Sequence, residues 1–482
     1  MALDHYNSGM KKRRRQDEGD PLEQCDEDMV VRIDWYEGRI SLQDLLLCLH
    51  PPAEPSTSNE CFNTPLDPSV QTRLKATKER IDTIMDKSVF YRLRGELNQY
   101  EGLGKGPRGP NESPVFVNRS AMKMCNLDHA FDFLPNYSAF PFSFVDLCAG
   151  PGGFSEYLLL RARQRSQCAV VGFAISKHMP DEGDSCNWNI DYLHSPPDIA
   201  ILNIPSSQIA TNGHDQITMS SVSDRVLYID DGVDDTGDLL HVCNVNNFAQ
   251  EVRSRFEQGV NLVMADGGFD FTGNREDREL ANAPLLIAQM ITALKVLKDG
   301  GVFFVKVFEL YEEFSFDLFV LFGALFEDVC LSKPITSRVI SSEKYLVCKR
   351  LKENVEASTK ERIIEELYKL SDRCMNHLMN KSVNTSASAV PFLFWKGSMK
   401  FQHAHDYLRR MNTMVAIKCL ESCEQLCECY NHYYDEEAEE NMPLNRDCET
   451  EVYVSKEERK SIVKHFYQKW DLYNLATTVP VT

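Results

Sequence analysis

The chain has 482 residues, 43% hydrophobic and 10% aromatic, which is more length than one typical domain needs and enough apolar side chain to bury a sizeable core. A formal net charge of −20 excludes a protein that coats nucleic acid by overall charge, although a local basic surface is still allowed. No apolar run approaches the roughly 20 residues a membrane span requires, and the first residues carry no apolar signal core, so a soluble intracellular protein is expected. In that setting the 16 scattered cysteines read as free thiols rather than a disulfide frame.

Residues 1–68 are expected to be mostly disordered. Lys11-Lys-Arg-Arg-Arg15 within them reads either as a nuclear localisation signal or as a solvated charge run, and Pro51–Ser58 reads as a linker. Across 69–117, Val70, Leu74, Ile81, Ile84, Met85, Val89 and Leu93 recur near helical spacing and predict a helix pair, followed by a Gly/Pro-rich loop from Gly102 to Pro114. Between Gln71 and Lys123 eleven Lys/Arg face six Asp/Glu, a basic region in an otherwise acidic chain that suits phosphate.

The third unit, 118–351, alternates strands and helices. Strands are predicted at Phe144–Leu147, Ala169–Ala174, Val226–Ile229, Leu262–Ala265, Val302–Val307 and Lys344–Lys349, and helices at Phe154–Arg163, Arg278–Leu297 and Phe314–Phe326. That alternation implies an α/β fold with a parallel, doubly wound sheet and ligands at the carboxyl ends of its strands. Ser176–Asp224 is polar and rich in Pro, Asn and Ser, and reads as an insertion; Lys333–Ser342 reads as a turn. Residues 352–482 form a helical, acidic extension. Its Cys419, Cys423 and Cys427 are spaced as one helix face, so a buried stripe is favoured over zinc, and no metal is expected; Asp435–Glu440 reads as a solvated acidic loop.

Phe144-Val-Asp-Leu-Cys-Ala-Gly-Pro-Gly-Gly-Phe154 reads as a buried strand breaking into a glycine turn and reopening as a helix. Such a turn lets backbone N–H groups approach a ligand. No Lys-Ser/Thr follows the glycines, which argues against a nucleoside-triphosphate loop. With Phe116–Lys123, Met264-Ala-Asp-Gly-Gly-Phe269, Val305-Lys-Val-Phe308 and Lys333-Pro-Ile-Thr-Ser-Arg338…Ser342-Glu-Lys-Tyr345, the turn resembles the cap-specific mRNA nucleoside-2′-O-methyltransferases of the FtsJ/RrmJ-like group. The likeness runs from about Lys87 to Leu351 and is closest to members acting on the first transcribed nucleotide.

The resemblance implies a Rossmann-like, S-adenosylmethionine-dependent methyltransferase sheet with helical extensions, a nuclear protein, and m7G-capped mRNA as its partner. The family's K-D-K-E set falls on Lys123, Asp266, Lys306 and Glu343, with Lys306 as proton acceptor. Each alone has a plainer reading as a surface or turn residue; only the joint arrangement favours chemistry. Methyl transfer to a ribose hydroxyl is an in-line displacement that needs positioning and a more basic oxygen. Two neighbouring lysines are expected to depress each other's pKa and favour a neutral amine. The resemblance assigns the cofactor to Asn118, Cys148, Ala149, Gly150, Pro151, Gly152, Gly153, Phe154, Asp238 and Leu239, and the cap to Lys87, Ser88, Val89, Phe90, Arg94, Glu276 and Ser341. Phe90 reads equally well as core. No glycine-patch or WW module is recognisable, so protein partners are left open. Three alternatives stand beside this reading: methylation of the second nucleotide, an rRNA or tRNA 2′-O-methyltransferase, and an inactive RNA-binding scaffold.

Overall fold

A computed structural model describes residues 35–37, 41–47, 66–84, 86–108, 114–134, 141–165, 169–178, 188, 199–204, 225–269, 277–353, 355–382, 393, 401–437 and 455–477. The basic cluster Lys11–Arg15, the linker Pro51–Ser58, Glu276 and most of Ser176–Asp224 lie outside the described residues, as does the end of the acidic run Asp435–Glu440, whose start closes a helix.

Eight strands form one sheet: β1 (Phe142–Leu147), β2 (Val170–Ile175), β3 (Ile199–Ile204), β4 (Arg225–Asp230), β5 (Val260–Ala265), β6 (Leu297–Val307), β7 (Phe326–Ser332) and β8 (Lys344–Leu351), in the order β3-β4-β2-β1-β5-β6-β8-β7. Pairing is parallel from β3 through β6, as expected, but β6–β8 and β8–β7 are antiparallel. The wholly parallel sheet is therefore corrected to a mixed one. The cause is β7, which the sequence hides: helix runs into strand at Leu325–Phe326 with no Gly or Pro between, so one long apolar run spans both elements. β3, a half-exposed edge strand, was equally hidden inside the polar insertion.

The helices are α1 (Leu42–Leu47), α2 (Pro68–Asp82), α3 (Lys87–Leu97), α4 (Ser120–Phe131), α5 (Gly153–Gln164), α6 (Val242–Arg255), α7 (Arg278–Val296), α8 (Glu313–Leu325), α9 (Ala357–Ser382), α10 (Gln402–Glu437), α11 (Lys456–Lys469) and α12 (Leu472–Thr477). The expected pair, α2 and α3, starts where carboxylates cap free N–H groups: Asp67 accepts from Ser69 N at 2.9 Å, and Asp86 from Ser88 N at 2.8 Å. Helix α6 went unpredicted.

Strand alternation divides the core. Phe303, Val305 and Val307 face one layer with α6, α7, α8 and α9, while Phe304, Tyr345 and Val347 face the other with α4, α5, α11 and α12. Phe304 is fully buried, and truncating such a ring to Ala costs about 3–5 kcal/mol. A third cluster joins α2 and α3 to the Cys419, Cys423 and Cys427 face of α10, the buried stripe expected from the spacing. Helix α10 also places Tyr407, Leu408 and Met411 in the first layer, so it bridges this cluster to the sheet core. Within the N-terminal segment, Tyr36 packs between Phe319 and Tyr407 and donates from its N to Val329 O at 2.8 Å.

Candidate active site

Four elements deliver the expected tetrad to one place. Asp266 directly follows β5; Lys306 lies on β6 and shares the Phe304 face by strand alternation. Glu343 immediately precedes β8, and because β8 runs antiparallel to β6, with Tyr345 opposite Lys306, it arrives at the same end of the sheet. Lys123 projects from the first turns of α4.

The contacts are direct. Lys123 Nζ lies 2.9 Å from Glu343 Oε1 and 3.6 Å from Asp266 Oδ2, while Lys306 Nζ lies 3.4 Å from Asp266 Oδ1 and donates to Asp266 O at 2.6 Å. All four side chains are largely buried, between 12% and 15% exposed, so these charges interact through little water. Burial pulls the Lys123 ammonium down, but Asp266 and Glu343 outweigh it and raise its pKa above the ordinary lysine value. Burial likewise pushes Glu343 up, and Lys123, Lys306 and Lys333 override it, holding the carboxylate well below its usual range. The expected mutual depression of two lysines is thus corrected for Lys123: two acids, one against it and one beside it, keep it charged.

Three residues that sequence reasoning left without a role complete the cluster. Tyr345 OH donates to Asp266 Oδ1 at 2.7 Å, Ser120 Oγ donates to Asp266 Oδ2 at 3.3 Å, and Ser337 Oγ donates to Glu343 Oε1 at 2.9 Å. Two had a signal: Tyr345, on β8, follows Glu343 by two residues in extended chain, and Ser120 precedes Lys123 by three on a helix, each spacing placing the pair on a shared side.

The glycine turn abuts this cluster. A Cβ on Gly267, next to Asp266, would lie 2.6 Å from Cys148 Sγ, so turn and tetrad touch where only hydrogen fits. Burial pushes the Cys148 thiol up to about 12, leaving it a neutral wall. A Cβ on Gly153 would meet Asn118 Oδ1 at 2.1 Å, and Asn118 Oδ1 also accepts from Ser120 N at 3.0 Å. Gly150 N donates to Ser176 Oγ at 3.0 Å, and Ser176 O abuts Gly237, which leads into Asp238 and Leu239. Ala149, Gly150, Pro151 and Gly152 thus line the turn between Cys148 and Asn118. Phe154, by contrast, is core: it is 2% exposed and packs on Phe304 and Tyr345. Leu239 is also buried, whereas the Asp238 carboxylate is ion-paired to Lys177 at 3.0 Å. Beneath the turn Asp146 accepts from Ser155 N and Oγ, and burial raises its pKa to about 7.

The expected cap residues are less concentrated. Val89 points into the third cluster, and the Ser88 hydroxyl serves the α3 cap by donating to Asp86. Lys87 is exposed; Phe90 is partly buried against that same cluster. Arg94 stacks over Tyr91, its guanidinium carbon 4.9 Å from the ring centre, and Tyr91 is 56% exposed. Ser341 sits in the turn before Glu343, where its Oγ accepts from Glu343 N at 3.2 Å.

Residues 116–351 match the FtsJ-like methyltransferase family model. The chain is 33% identical over 340 residues to cap-specific mRNA (nucleoside-2′-O-)-methyltransferase 1 of Mus musculus, covering 68% of this chain and 36% of the relative. The Homo sapiens protein of that name is 32% identical over the same length and shares, and the Drosophila melanogaster one 29% identical over 303 residues, 61% of this chain and 33% of the relative. The chain therefore spans about a third of the length of these curated relatives.

Proposed function

We propose that the chain, whose residues 116–351 match the FtsJ-like methyltransferase family model, methylates the ribose 2′-OH of the first transcribed nucleotide of m7G-capped mRNA. The observation that carries this reading is the meeting of Lys123, Asp266, Lys306 and Glu343 directly against a glycine turn. The names of the similar proteins support the cap and the 2′-oxygen.

S-adenosylmethionine fits the turn. At Gly153 and Gly267 the backbone approaches Asn118 and Cys148 more closely than any side chain permits, which sets the turn's N–H groups against Asn118 and a neutral thiol. Cys148 to Gly153 and Asn118 would hold the group, with Asp238 available once the half-exposed Lys177 turns away. When bound, it supplies an electrophilic methyl. Lys123, kept cationic by its two acids, steadies negative charge on the 2′-oxygen; Lys306 receives the hydroxyl proton; Asp266 and Glu343 hold the two amines apart and aimed. Arg94 and Lys87 suit the phosphate bridge of a cap. The proposed setting is the nucleus, with Lys11–Arg15 as the candidate import signal, tested by locating a tagged full-length chain in which this cluster is alanine.

The test is incubation with radiolabelled S-adenosylmethionine and short RNAs bearing m7G caps, unmethylated caps or triphosphates, followed by mapping of the labelled ribose. Label on the first ribose of the m7G-capped RNA is expected. Label on the second, or in uncapped structured RNA, moves the assignment to the corresponding alternative, and cofactor binding without label to any RNA leaves a scaffold. Lys306→Ala is expected to lose at least 100-fold in transfer while binding the cofactor with ordinary affinity; preserved turnover removes Lys306 from its role.

A further inference from the structure

Behind Glu343 lies a buried cation that the proposed reaction leaves unused. Lys333 directly follows β7 and is 6% exposed. Its Nζ donates to Glu343 O at 2.7 Å and to Ser341 O at 2.8 Å, with Ser337 Oγ at 3.4 Å. Each of the three ammonium donors therefore has an oxygen to meet. Ser337 Oγ in turn donates to Glu343 Oε1, the oxygen that Lys123 reaches from the other side.

The arrangement is costly for mere packing. Burial lowers the Lys333 pKa to about 8, and an apolar side chain would fill the same volume without desolvating a charge. What an apolar residue cannot do is hold two carbonyls that flank Ser342 and aim the hydroxyl that grips Glu343. Other bonds hold the turn at different points, Ile335 N donating to Asn126 Oδ1 at 2.9 Å, Cys419 Sγ to Ile340 O at 3.1 Å and Ser342 Oγ to Glu309 Oε1 at 2.8 Å, but of the turn's side chains it is Ser337 that bonds the Glu343 carboxylate. We propose that Lys333 and Ser337 are positioning residues that set the Glu343 carboxylate, and through it Lys123, for methyl transfer. Lys333 fixes the backbone on which Glu343 rides, and Ser337 fixes its rotamer. This rests on the proposed methyl-transfer reaction.

A double-mutant cycle on the full chain decides it, read as single-turnover transfer to m7G-capped RNA alongside kcat, both KM values and the melting temperature. Ser337→Ala is expected to lower kcat about 10- to 100-fold with both KM values unchanged, the loss of one hydrogen bond to a charged group. In a Glu343→Ala background, which removes the acceptor, it is expected to cost nothing further, because it acts only through that side chain. Lys333→Met is expected to repeat the pattern with a larger loss; should it fail to fold, the Ser337 cycle still decides. An unchanged kcat in Ser337→Ala, or equal losses in both backgrounds, overturns the inference alone. A wild-type chain that transfers no methyl overturns the proposed function and this inference with it.

Discussion

Gly153→Ala probes the junction between the turn and the tetrad. Gly153 opens α5, where alanine is intrinsically favoured over glycine by up to about 1 kcal/mol. Against that, the added Cβ would lie 2.1 Å from Asn118 Oδ1 and 3.0 Å from Ala121 N, the first more than an ångström inside ordinary contact. Asn118 must swing out and surrender its hydrogen bond from Ser120 N, worth about 1 kcal/mol, and the α4 backbone at Ala121 must also give. Overpacking of this kind costs about 1–3 kcal/mol, so the clash exceeds the propensity gain and a net loss of about 1–2 kcal/mol is expected. Because Asn118 is an expected cofactor contact and Lys123 rides on the same helix, S-adenosylmethionine affinity should fall about 10-fold or more, with transfer falling further. Calorimetric titration with S-adenosylmethionine, paired with denaturant unfolding, measures both. Wild-type affinity in a folded Gly153→Ala protein would refute the proposal that Asn118 and the turn hold the cofactor.

Tyr345→Phe removes only the hydroxyl that donates to Asp266, and the ring keeps its place on Phe304. Transfer is expected to fall about 10-fold with cofactor affinity unchanged; equal rates in variant and wild type would show that Asp266 is set by its lysines alone. Glu156 is buried beside Val117, from whose N it accepts at 2.8 Å, and burial pushes its pKa up to about 8. The folded state therefore keeps a proton that the unfolded chain releases near its ordinary value, and the stability this confers is lost as pH rises toward about 8. Melting temperatures of Glu156→Gln and wild type should agree near pH 4 and diverge toward pH 9, the variant melting higher; parallel curves would argue against a buried neutral acid.

Local rules written into the sequence made much of this protein legible. Val70, Leu74, Ile81, Val89 and Leu93 announced the helix pair because apolar side chains at helical spacing share one face. Phe144–Leu147 and Val302–Val307 announced strands because apolar β-branched and aromatic runs are short and bounded by glycine. The glycine turn and the four tetrad members were readable as types in order. Their separations, from Lys123 to Glu343, carry no distance information, and only the folded chain brings them together. Tertiary structure also decided what local rules could not: β7 and β3, whose apolar character merges with a preceding helix or drowns in polar flanks, and the reversal of β8 that carries Glu343 to Lys306. It decided charge as well. Two lysines meeting at one site are expected to depress each other, yet Lys123 stays protonated because Asp266 and Glu343, brought from the ends of β5 and β8, share its dry surroundings, and electrostatics at that range depends on position in space rather than in the chain.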